Sequence, residues 1–140
     1  MRSRFDKELN LLNNELIEMG SLVERAIENA AKALVEKDIE LARTVMTSDD
    51  EINNMENTIE TRCLKLILQQ QPVAKDLRYI SAALKMITDL ERIGDQAQDI
   101  AEIILDLSNQ DYKKEFVHVH LPKMAEATFW AWSPILSKYL

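Results

Sequence analysis

The stretch A-K-D-L-R-Y-I-S-A-A-L-K-M-I-T-D-L-E-R-I-G-D-Q-A-Q-D-I-A-E-I-I-L-D-L, residues 74–107, decides the fold. Ile80, Leu84, Ile87, Leu90, Ile93, Ala97, Ile100, Ile104 and Leu107 recur in steps of three and four. That period places one apolar seam along an α-helix. Inside the same stretch, D-L-E-R-I-G-D sets Glu91 and Asp95 four residues apart. Residues so spaced stack on one helical face. Two stacked carboxylates can share a cation, hold an arginine or face water.

Two further segments show the same period. Residues 5–36 carry Leu9, Leu12, Leu16, Met19, Val23, Ala26, Ala30, Ala33 and Leu34. Residues 39–70 carry Leu41, Val45, Ile52, Met55, Ile59 and Leu66. Lys37-Asp38 reads as the break between them, with Asp38 as N-cap of the second helix. Gln71-Pro72 stops the second helix, because proline disfavours helical geometry in the residue before it. Helices of about 32 residues run to about 50 Å and must bury their stripes against one another. Short connections make neighbours antiparallel. The expected fold is therefore all-α, an antiparallel three-helix bundle over residues 1–110. Gly94, inside the third helix, costs about 1 kcal/mol against alanine there, which points to close approach of a neighbouring backbone or ligand.

Composition agrees. The 140-residue chain is long enough for one core and contains only 2 Gly and 3 Pro, too few turn residues for a fold of many strands. Its net charge of −7 argues against sequence-independent nucleic-acid binding and against adhesion to anionic lipid. No apolar run is long enough to span a bilayer, and the N-terminus lacks a secretory core, so no membrane insertion and a cytoplasmic location are expected. The one cysteine, Cys63, cannot form an internal disulfide and reads as a buried small residue.

The polar residues also form stripes. Asp49, Asn53, Glu56 and Glu60 fall on one face of the second helix, and Glu91, Asp95, Glu102 and Asp106 on one face of the third. Both stripes turn away from the apolar seams, so the sequence places them at the bundle surface. Antiparallel packing brings the two rows to one level. Converging carboxylates repel unless protons or a cation neutralise them, and oxygen-only ligation suits hard cations. Against this, carboxylates at i, i+4 on acidic helices mostly face water, and Arg62, Arg78 or Arg92 can pair with them. His118 and His120 in V-H-V-H make a poor zinc site without further ligands.

Four segments taken together resemble the PhoU family of phosphate-transport regulators. They are M-G-S-L-V-E-R-A-I at 19–27, D-x-x-x-N-x-x-E-x-x-x-E at 49–60, Q-Q-Q-P-V-A-K-D-L-R at 69–78, and D-L-E-R-I-G-D at 89–95. The resemblance implies a PhoU-like, spectrin-repeat-like helical bundle, present twice in the family. It implies a metal site at Glu91 and Asp95, with Asp49, Asn53, Glu56, Glu60 and Asp89 around it. The cofactor implied is a divalent or trivalent metal, iron, Mn, Mg or Zn, in a multinuclear cluster. No enzymatic activity is implied. The role implied is a negative regulator of phosphate uptake and of the phosphate-starvation two-component response, contacting a phosphate-sensing histidine kinase and a phosphate ABC transporter ATPase.

Residues 111–140 read as the start of a second repeat, a partial fourth helix with an atypical tail from Phe129. They are expected to be a truncated or frame-shifted product or a divergent short form, whose apolar face favours a homodimer or aggregation. Two rival readings remain open from the residues alone, a carboxylate-bridged metalloenzyme and a purely structural helical interaction module.

Overall fold

The computed structural model describes residues 2–109. The expected fourth helix and second repeat at 111–140 lie outside them. Three helices follow in order: α1 Arg2–Glu36, α2 Ile39–Gln70 and α3 Ala74–Ser108. Each packs on both others, making an antiparallel three-helix bundle with no strand among the described residues.

Local chemistry sets the corners. At the α1–α2 corner Lys37 adopts φ 56, and the Asp38 amide bonds back to the Ala33 carbonyl at 3.0 Å. This left-handed closure satisfies a carbonyl that the helix end would otherwise leave open. Asp38 then caps α2, its Oδ1 accepting from the Leu41 amide at 3.0 Å. At the α2–α3 corner Gln71 takes φ 43, and Pro72 follows. Val73 precedes α3 without a side-chain cap.

The core is the predicted seam, with small residues added. Leu12, Met19, Val23, Val45, Ile52, Ile59, Cys63, Leu66 and Ile80 are essentially inaccessible to water. Burying a Leu, Ile or Val side chain contributes roughly 1.5–3 kcal/mol. Leu9, Leu41, Met55, Leu84 and Ile100, read from periodicity as seam residues, pack at its margin. Ala42, Ala83, Ala101, Gly20 and Gly94 are buried instead. Side chains this small let helix axes approach, which periodicity weighted by large apolar residues does not register.

Charged residues tie the helices at the flanks of the core. Arg62 of α2 turns to α1. Its Nε donates to Glu15 Oε1 and Oε2 at 3.0 and 2.9 Å, its Nη2 to Glu15 Oε1 at 2.7 Å, and its Nη1 to Glu8 at 2.5 Å. Arg2 reaches Asp76 at the start of α3 at 2.9 Å.

Candidate metal centre

Helical spacing puts Asp49 and Glu56 two turns apart on α2, flanking Ile52. On α3, Glu91 and Asp95 are one turn apart, with Gly94 three residues after the first and directly before the second. Because α2 and α3 run antiparallel from the Gln71 corner, these four carboxylates meet at one level of the α2–α3 groove. Asp49, Glu56 and Asp95 all raise the proton affinity of Glu91, and Asp95 also raises that of Asp49 and Glu56.

Asp49 does not lie at the surface as its stripe suggested. It is 8% exposed and shares the buried face of α2 with Val45 and Ile52. Asn53 Nδ2 donates to Asp49 Oδ2 at 3.2 Å. Asp49 Oδ1 is buried with no hydrogen-bond partner. The Asp49 and Asp95 carboxyls are near enough to share a proton, a bond that exists only while one of them is protonated. With both ionised, Oδ1 is an orphaned acceptor, which is rare and costly in a protein interior.

Burial is the main cause that raises Asp49 above the usual carboxylate range, followed by the charge of Asp95, while the Asn53 amide opposes the shift. Burial, then Glu60 and Asp95, raises Glu56. Glu91 is pushed up to about 7 by burial, by proton sharing with Asp95, and by the charges of Asp95, Glu56 and Asp49. The arginines expected to neutralise this group are engaged elsewhere or point to solvent. Arg62 binds Glu15 and Glu8, and Arg78 and Arg92 are exposed.

The structure thus brings together Asp49, Asn53, Glu56, Glu91 and Asp95. Glu60 is exposed at the margin, felt by Glu56 through its charge. Asp89 is exposed and lies outside the cluster, as do Glu102 and Asp106. The inward turn of Asp49 was the feature periodicity missed; its position between Val45 and Ile52 on the seam was the available signal. The donor set is all-oxygen, acidic and carries one buried unpartnered oxygen, a chemistry that fits a hard cation. Among the described residues no three or more His, Cys, Asp or Glu side chains are drawn tightly enough to hold a metal ion as they stand.

A three-helix bundle with an acidic cluster across its second and third helices is the class of protein that emerges. The PhoU domain profile matches residues 16–104, and the chain belongs to that family. It is 40% identical over 114 residues to the phosphate-specific transport system accessory protein PhoU homolog of Aquifex aeolicus, covering 81% of this chain and 52% of that protein. The homolog of Clostridium acetobutylicum is 41% identical over 112 residues, 79% of this chain and 51% of the relative. The PhoU accessory protein of Serratia marcescens is 38% identical over 119 residues, 85% and 46% respectively. The chain spans about half the length of the curated relatives it matches. No helix among the described residues is long and apolar enough to cross a membrane.

Proposed function

We propose that this chain is a metal-binding regulatory adaptor in phosphate homeostasis, a non-catalytic negative regulator of phosphate uptake and of the phosphate-starvation two-component response. One observation carries the metal reading, the buried and unpartnered Oδ1 of Asp49, a carboxyl that interacts with Asp95 and Glu91. Such a group wants positive charge; Arg62 is committed to Glu8 and Glu15, and Arg78 and Arg92 are exposed. Asp49, Glu56, Glu91 and Asp95 would hold the cation, with Asn53 orienting Asp49 and Glu60 at the rim. A bound iron, Mn, Mg or Zn ion would supply the charge that relieves the mutual repulsion of these carboxylates. The regulatory reading rests on family membership and on the names of the relatives. It extends to contact with a histidine kinase and a transporter ATPase, to homodimer formation and to a cytoplasmic location.

The test is the elemental content of protein purified without chelator. Glu91→Gln combined with Asp95→Asn is expected to remove the metal. Equal metal in the variant would sink the site assignment. The regulatory reading is tested separately by a phosphate-starvation reporter in cells relying on this chain. A reporter that stays silent in high phosphate when the chain is deleted would sink it.

A further inference from the structure

Gly94 of α3 meets Ile52 of α2 on the buried side of the interface that carries the acidic cluster. Gly94 directly precedes Asp95 and follows Glu91 by one helical turn; Ile52 sits between Asp49 and Glu56. A Cβ on Gly94 would lie 3.2 Å from Ile52 Cδ1, 3.4 Å from Ile52 Cγ2 and 4.0 Å from Val23 Cγ2 of α1. The contact therefore involves all three helices at the level of the four carboxylates.

Ile52 has little freedom to yield. It is 1% exposed, and β-branched side chains in helices hold one χ1 rotamer, which fixes Cγ2. Cδ1 can swing about χ2 only into a close-packed interior. A methyl group at position 94 needs a few tenths of an ångström of give at this contact, and with Ile52 so confined, the α2–α3 separation is what is left to supply it. Ligand distances in metal sites tolerate only about 0.2 Å.

We propose that Gly94 is a positioning residue, which lets α3 close onto Ile52 and so holds Glu91 and Asp95 within reach of Asp49 and Glu56, setting the affinity of the cluster for a divalent cation. The affinity part rests on the metal reading above; the spacing part does not.

The experiment is a double-mutant cycle of Gly94→Ala and Ile52→Val, the second removing the Cδ1 that the new methyl meets. Alanine's helix propensity, about 1 kcal/mol better than glycine's, favours a folded Gly94→Ala, which circular dichroism checks. Titration with Mn²⁺ alone, followed by electron paramagnetic resonance, is expected to show ~10-fold weaker binding in Gly94→Ala. The double variant should recover most of that loss. Without metal, the Glu91 carboxyl followed by NMR should titrate lower in Gly94→Ala and move back up in the double variant. Mn²⁺ affinity and Glu91 titration both unchanged by Gly94→Ala would overturn the proposal, as would a loss that Ile52→Val fails to repair. If the parent chain binds no Mn²⁺, the metal reading and the affinity part fail together, and urea denaturation decides the spacing part: coupling between Gly94→Ala and Ile52→Val supports the contact, and additive effects overturn it.

Discussion

Asn53 donates to one oxygen of Asp49 and leaves the other, Oδ1, buried without a partner. A buried carboxylate with half its acceptors unmet destabilises the metal-free fold. Replacing it by the isosteric neutral amide removes that charge. Asp49→Asn is therefore expected to stabilise the chelated protein at neutral pH by about 1 kcal/mol while abolishing metal binding. Urea denaturation with chelator and elemental analysis check the two halves. A variant less stable than the parent under chelation would show that Asp49 carries no unrelieved charge.

Proton binding couples to folding through the same cluster. Glu91 keeps its proton up to about 7 in the folded chain, against an ordinary value of 4.5. Between those values the folded state binds more protons than the unfolded state, so stability falls as pH rises. The contribution is full below about 4.5 and is lost as pH passes about 7. Asp49 and Glu56 are raised too and add to the same slope. In chelated protein the urea midpoint is expected to decline across this window, and Glu91→Gln to flatten the decline. A midpoint rising with pH there contradicts the proposed proton sharing.

Arg62 and Glu15 form the main polar tie between α1 and α2, three contacts of 2.7–3.0 Å with Glu8 as a further partner. The Arg62 and Glu15 side chains are largely shielded, 24% and 17% exposed. Arg62→Ala leaves Glu15 half-buried without its cation and is expected to cost about 1.5–3 kcal/mol. Metal content should be unaffected, because this pair lies on the α1 side of α2. A loss under about 0.5 kcal/mol by urea denaturation would class it with surface ion pairs.

The three helices, their corners and their antiparallel order were legible in the residues alone. Each is a local property: a 3.6-residue apolar period, an Asp38 cap, and a Gln71-Pro72 stop. The motifs around Glu91 and Asp95 also marked the family. Tertiary packing decided what those signals could not carry. Facing stripes name candidate carboxylates, but only the register of α2 against α3 selects Asp49, Glu56, Glu91 and Asp95 and leaves Asp89, Glu102 and Asp106 in solvent. The same packing buries Asp49, turns Arg62 toward α1, and seats Gly94 on Ile52. Burial and pairing depend on distances between helices, and those are set by which side chains interlock across the core.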